Sequence, residues 1–441
     1  MTCPKCGAKS APGAKFCVRC GAPLVAASAP AAAVAHVPPA AASPAAALSA
    51  HLPGAHLPGA HERSLHHLAL AGLGILIFFL CTNVLGILLK FAHDSAAVLF
   101  VSAFMAFLLV PIYASLIVAL DRHVSEPGWL LFGAFFWGAV VATTFAFVIN
   151  TNVLVSLAHT IGPNAAGFAV IVFAAPVVEE TAKGLALLLI FFFMRSQIND
   201  VVDGIVIGGL VGLGFATVEN ITYYSRVYIA QGVGSLTLLF IIRSISFGLG
   251  HALYTASTGA GLGLAEETKN PIVRWVAPVA GYIVAILLHF LWNFVGSRMG
   301  NLPLATLAVI YPFITAILIM PGVVTLLAIT YFAWKRESRV IAEQLKDEVQ
   351  RGVVRPGEYA VLADDRQRAQ RIWQTLYHHG PLPWYLMRQF YNLESALAFR
   401  KWHTARGEPL PSSLRAYSED AYREHIAALR ARLNAIGLST E

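Results

Sequence analysis

From residue 67 onwards the chain alternates long apolar runs with short polar breaks. Eight runs reach bilayer length, at about 67–90, 96–120, 128–151, 165–194, 201–224, 235–262, 274–297 and 304–334, where roughly 20 apolar residues in helix are enough to cross the hydrocarbon layer. Several carry closely spaced glycines, as in "GIVIGGLVGLGF" (204–215), a pattern that lets helices approach one another in lipid. The pattern predicts an all-α polytopic membrane protein, with about eight transmembrane helices within residues 65–334.

The flanks follow other rules. Residues 23–64 are rich in Ala and Pro and repeat "HLPGAHLPGA". They cannot bury enough apolar surface to offset chain entropy, which predicts a disordered linker. After Lys335 the apolar positions fall at three- and four-residue spacing in "RVIAEQLKDEVQRG" and "SEDAYREHIAALRARLNAIG", each closed by glycine, so residues 335–441 read as a soluble helical tail. Between these lies the aromatic-rich "PLPWYLMRQFYNLESALAFRKWH". No catalytic constellation stands out in the tail, which reads as a regulatory or packing module.

Composition sharpens this picture. Hydrophobic residues are 57% and charged residues 12% of the chain, the latter about half the usual soluble share. Most of the net +7 lies in the tail, so the basic balance marks membrane flanks and no nucleic-acid partner is expected. Arg63, Arg122, Arg195, Lys269, Arg274 and "WKRESR" outweigh Lys90, Arg226 and Arg298 on the opposite loops, which predicts a multi-pass cell-membrane protein with both termini cytoplasmic. The opening "MTCPKCGAKS" lacks the basic-then-apolar pattern of a secretory signal.

Residues 1–22 carry Cys3, Cys6, Cys17 and Cys20 as C-x2-C-x10-C-x2-C, with glycine after each pair. Four thiolates at this spacing suit tetrahedral zinc, and so short a segment has no core without metal, which predicts a zinc ribbon holding structural zinc. Cys81, alone in the first apolar run, reads as a small buried hydrophobe.

The chemistry sits where charge is least expected. "AAPVVEETAKG" (174–184) puts Glu179, Glu180 and Lys183 in the middle of an apolar run, where charges are costly and mark functional sites. Three later runs repeat the theme of an ionisable residue followed four positions on by a polar one: Glu219 and Tyr223, His251 and Thr255, His289 and Asn293. Four positions bring each pair to one helix face. Counted inwards from the polar breaks near 195, 201, 274 and 262, the first members lie about 11–18 residues deep, or about 17–27 Å at 1.5 Å per residue, so four polar faces meet at one level. Carboxylates beside imidazoles can activate water and protonate a leaving amine; two histidines with a glutamate can instead hold a metal with an open position. Both routes hydrolyse an amide. Arg243 has Glu180 or Glu219 as its partner.

"EETAK" (179–183), "DGIVIGGLVGLGFATVENITYY" (203–224), "HALYTASTG" (251–259) and "HFLWN" (289–293) resemble the motifs of the PrsW intramembrane proteases, a family grouped with the CAAX prenyl proteases and Abi proteins. The resemblance covers about residues 165–297. It implies a peptidase in which Glu179 and Glu180 are the essential paired glutamates and His251 and His289 the essential histidines. Glu219 stands where the wider group has a histidine, four residues after Phe215. Val218 replaces the phenylalanine expected before Glu219, and Asn293 stands where aspartate is expected.

The implied roles are Glu179 or Glu180 as general base, His251 and His289 as partners or oxyanion donors, Asn293 as amide donor and Glu219 as orienting carboxylate. Lys183 and Tyr223 support them. A catalytic zinc would take Glu179 or Glu180 with His251 and His289; the surplus of acids and Asn293 favour the metal-free route. The implied substrate is a membrane-anchored protein, such as an anti-sigma factor or another regulator. Two rival classes share these residues, an ion- or proton-coupled transporter or channel and a catalytically inactive scaffold. No convincing internal repeat favours the transporter.

Overall fold

The computed structural model describes residues 77–440, apart from 94, 122–125, 195–196, 300, 408–409, 411 and 416, together with residues 8, 9 and 17. Cys3, Cys6, Cys20, the linker 23–64 and the start of the first expected span lie outside the described residues; Cys17 is buried. The helices are α1 (Ile77–Phe91), α2 (Ala96–Val118), α3 (Gly128–Ile161) and α4 (Pro163–Phe193). They continue with α5 (Val201–Phe240), α6 (Gly250–Glu267), α7 (Pro271–Met299), α8 (Leu304–Leu318) and α9 (Met320–Gln344). Five helical segments are long and apolar enough to cross a membrane, six if α8 and the helix after it, bent by 42°, count as one span. The chain is thus an all-α polytopic membrane protein, while the expected count of eight is not reached by length and apolarity among the described residues.

Local chemistry fixes where these helices start. Ser95 accepts a hydrogen bond from the Val98 amide, the Asp200 carboxylate accepts from the Val202 and Asp203 amides, and the Asn270 side chain accepts from the Ile272 amide. Each satisfies a backbone donor that a first helical turn leaves open.

The segment Val201–Glu267 has 67 residues, which as one straight helix would run about 100 Å, three times a bilayer. It folds back instead. Gly232, at φ 78°, breaks α5 in a conformation that only glycine adopts without strain. After the widened π turn Ile241–Ser246 the chain leaves helical geometry at Phe247–Leu249, and α6 starts at Gly250. The expected span 235–262 is therefore a broken helix, with His251 in the first turn of its second half instead of at mid-span.

α5 and α6 run antiparallel in backbone contact. A Cβ built on Gly212 would lie 2.1 Å from the His251 carbonyl oxygen, and Gly204 meets Gly259 in the same way two rungs further on. Glycine at these rungs lets the helices approach as no other residue would. Every residue of α5 from Val201 to Val218 is buried, with α2, α3, α4 and α6 around it. The outer helices turn Phe132, Phe193 and Trp275 outward, the arrangement lipid-facing surfaces require.

The expected boundary at 335 is not a helix end. α9 runs unbroken to Gln344: past its middle, Trp334 Nε1 donates to the Leu120 carbonyl at 2.8 Å, and its last turn enters the tail core. That core gathers Ile341, Leu345, Leu386, Phe390, Ile426 and Leu433. The tail helices are α10 (Lys346–Gln350), α11 (Pro356–Leu362), α12 (Asp365–His379), α13 (Pro381–Ala405), α14 (Ser412–Arg415) and α15 (Glu419–Ala435). One buried ion pair ties them: Glu358 accepts two 2.7 Å bonds from Arg430, and burial notwithstanding, those bonds hold its carboxyl below the usual carboxylate range.

Candidate functional site

Three helices bring the paired glutamates to both histidines. On α4, Glu179 and Glu180 are buried and point to different neighbours. Glu180 Oε1 accepts from Lys183 Nζ at 2.6 Å and lies 2.8 Å from His289 Nδ1 of α7, while its Oε2 accepts from Thr255 Oγ1 of α6 at 3.2 Å. Glu179 Oε1 has only the Asn150 amide of α3, at 3.5 Å, and its Oε2, buried, has no hydrogen-bond partner. Lys183 Nζ also reaches His251 Nδ1 at 3.2 Å and lies 4.2 Å from the centre of the Phe215 ring.

The second half of the site hangs on α5. Glu219 Oε2 lies 3.1 Å from His251 Nε2 and accepts from Arg243 Nη2 at 2.5 Å. Arg243 also donates to Asn220 Oδ1 at 2.7 Å and sits over the Tyr223 ring, 3.9 Å from its centre. Of the two partners open to Arg243 in the sequence, the fold selects Glu219. The two imidazoles lie 5.0 Å apart, edge to face, and Tyr254 stacks on His289 at the same distance.

Ligand atoms of Glu179, His251 and His289 all fall within 4.8 Å of one another. This set fits a divalent cation on three counts. It offers two imidazoles and a carboxylate, the ligand type of open catalytic zinc sites. The orphaned Glu179 oxygen lies 3.8 Å from His289 Nε2, on the side opposite Glu180. Glu180 in turn engages Nδ1, the outer contact that orients a metal-binding histidine. Three carboxylates, those of Glu179, Glu180 and Glu219, also stand beside one lysine and one arginine, Lys183 and Arg243.

The structure thus gathers Glu179, Glu180, Lys183, Glu219, His251 and His289, with Tyr223 one step out behind Arg243. Asn293 stays apart: its Nδ2 donates to the Ile171 carbonyl of α4 at 2.8 Å. Four residues beyond His289 is one turn, or about 6 Å along the axis, which carries it past the cluster. Asn150, Thr255 and Tyr254 belong to the surroundings; Thr255 was expected there as the polar companion of His251, Asn150 and Tyr254 were not. The polar "NTN" in an apolar run was a visible signal for Asn150; nothing in spacing singles out Tyr254.

Comparison with known proteins finds matches in two parts of the chain, the membrane region and the cysteine-bearing N-terminus. Residues 126–323 match the model of the PrsW family of intramembrane metalloproteases, and residues 2–24 match a zinc-ribbon domain. "Protease PrsW" of Bacillus subtilis (strain 168) is 28% identical over 182 residues, which is 41% of this chain and 76% of that protein. "Protease PrsW" of Shouchella clausii (strain KSM-K16) is 33% identical over 123 residues, 28% of this chain and 52% of that protein. No solved structure matches the chain. The chain is thus a polytopic membrane peptidase similar over residues 126–323 to the PrsW family, with a zinc-ribbon match at residues 2–24.

Proposed function

We propose that this PrsW-like peptidase cuts a peptide bond of a membrane-anchored regulatory protein, with Glu179, His251 and His289 holding a catalytic divalent ion. The orphaned Glu179 oxygen within reach of two imidazoles carries this reading, and the family's description as metalloproteases favours it over the metal-free route. When bound, such an ion would polarise the scissile carbonyl and make water a better nucleophile at neutral pH. The chain's own residues do the rest. Glu180 fixes His289 through Nδ1 and keeps Lys183 beside His251. Arg243 holds Glu219 against His251, and both contacts fall on Oε2, which leaves Oε1 to take the proton from water. Returned to the nitrogen of the cleaved bond, that proton completes hydrolysis, with the hydroxyl on the carbonyl carbon and the new amine as leaving group.

The test uses purified protein starting at Glu62, so that ribbon zinc is absent, with cleavage of a membrane-anchored substrate and metal content measured together. The wild-type sequence should hold about one ion per chain, and Glu179→Gln should lose it and cut at least about a hundredfold more slowly. Full cleavage by Glu179→Gln would overturn the reading, and a metal-free preparation that cuts normally would return the site to the glutamate-driven route.

A further inference from the structure

The tail contains a surface that the hydrolytic site does not use. Between Asp365 and Glu394 the sequence has no acidic residue, while Arg366, Arg368, Arg371, Arg388, His378 and His379 fall within it. The same stretch exposes large apolar side chains where α12 turns into α13: Trp373 is 61%, Tyr377 87%, Leu382 63% and Tyr385 51% exposed. Trp373 and Tyr377 are four apart on α12, and Leu382 and Tyr385 three apart on the first turn of α13, so each pair shares a face. Gly380, at φ 86°, makes the reversal that brings the two helix ends together. His378 and His379 are exposed beside them, and Arg388 lies against the Trp384 ring.

Contacts along α9 fix which way this closed end points. The membrane-side level of α9 is marked by Trp334, bonded to the Leu120 carbonyl, and by Arg336, paired with Glu267 at the end of α6. Asp364, at the start of α12, is close enough to Lys335 to feel its charge. Arg368 of α12 bonds Asn392 and Ser395 of α13, and further along α13 Lys401 bonds Asp347 and Glu348, beyond the end of α9. From Asn392 to Lys401, therefore, α13 climbs in the direction in which α9 leaves the membrane. From Asn392 back to Pro381 it runs the opposite way, toward the membrane side, for 11 residues, about 17 Å of helix.

We propose that the closed end of the α12–α13 hairpin is a lipid-surface anchor. Trp373, Tyr377, Leu382 and Tyr385 lodge in the headgroup region of the leaflet from which α9 emerges, and Arg388, with the exposed His378 and His379, faces anionic headgroups. Tryptophan and tyrosine concentrate at that boundary because their rings carry both apolar area and a polar edge, and basic side chains beside them gain from the negative leaflet. The lack of any acid between Asp365 and Glu394 is the charge pattern this partner requires.

Photolabelling of the full chain in nanodiscs tests this, with a diazirine placed at the top of one acyl chain and adducts mapped by mass spectrometry. Peptides covering 373–385 should carry lipid adducts, and peptides covering 417–436 should not. Trp373→Glu with Tyr377→Glu changes only exposed positions and should remove hairpin adducts while those on α2–α7 persist. Replacing phosphatidylglycerol by phosphatidylcholine should lower hairpin labelling about fivefold for each basic group engaged. Spans that label with a bare hairpin would overturn the anchor. Labelling indifferent to phosphatidylglycerol would overturn the role given to Arg388 and the histidines.

Discussion

Asn293 shows how one side chain can share a helix face with a site and still serve another purpose. Its amide meets the Ile171 carbonyl, which lies in the widened turn Val170–Ala174, where backbone bonding shifts register and carbonyls tilt outward. Asn293→Ala should therefore cost about 1 kcal/mol of stability, seen as a lower unfolding temperature in detergent, while cleavage by the folded protein changes by no more than about threefold. A loss of cleavage at unchanged stability would restore Asn293 to the chemistry. The residue types of the site were legible in the sequence because buried charge in an apolar run is conspicuous: Glu179, Glu180, Lys183, Glu219, His251 and His289 all meet. What divides Glu179 from Glu180 was not legible. Adjacent residues sit about 100° apart on a helix, so each faces a different neighbour, and only the packing of α6 and α7 decides which carboxylate is saturated.

Among elements, the α5–α6 pair sets the distance between Glu219 and His251. Gly212→Ala would place a methyl group 2.1 Å from the His251 carbonyl oxygen, so the helices must part by an ångström or more. Such a shift should lower cleavage about a hundredfold, with insertion and expression retained; unchanged activity would show that the ladder does not position the site. The glycine spacing announced this contact in advance. The break at Phe247–Leu249 was hidden, since "SFGLG" reads as ordinary apolar helix without proline. A second element-scale prediction concerns the loops at the start of α3 and α5. Burial, with the Glu337 and Asp121 carboxylates nearby, pushes Asp200 up to about 7, and burial with Asp121 and Asp200 pushes Glu126 up to about 9. Both folded values exceed the unfolded ones, so the protonated forms favour the fold: their contribution is complete at pH below the ordinary carboxylate range and fades as pH rises through about 7 and then about 9. Hydrogen exchange at 126–130 and 197–204, corrected for its intrinsic pH dependence, should speed up over that interval; protection that rises with pH would contradict the assignment.

For the molecule as a whole, the sequence turns polar at Lys335, while helix propensity ignores that switch, which is why α9 carries through it. The zinc-ribbon match and the PrsW-family match lie apart in sequence, at residues 2–24 and 126–323. A chain starting at Glu62 should insert and cut as the full chain does, as read by substrate cleavage in membranes; a well-inserted but inactive product would make the ribbon part of the catalytic machinery. The glycine ladder reaches beyond geometry to behaviour in the cold. Lipid tails are as apolar as any side chain, so α5 and α6 adhere by dispersion and backbone contact, with little hydrophobic drive between them. A soluble enzyme's core loosens as water is cooled. Here the contact that spaces Glu219 from His251 has no such dependence, and the register of the site should hold at temperatures where the water-facing tail, built on an ordinary hydrophobic core, begins to slacken.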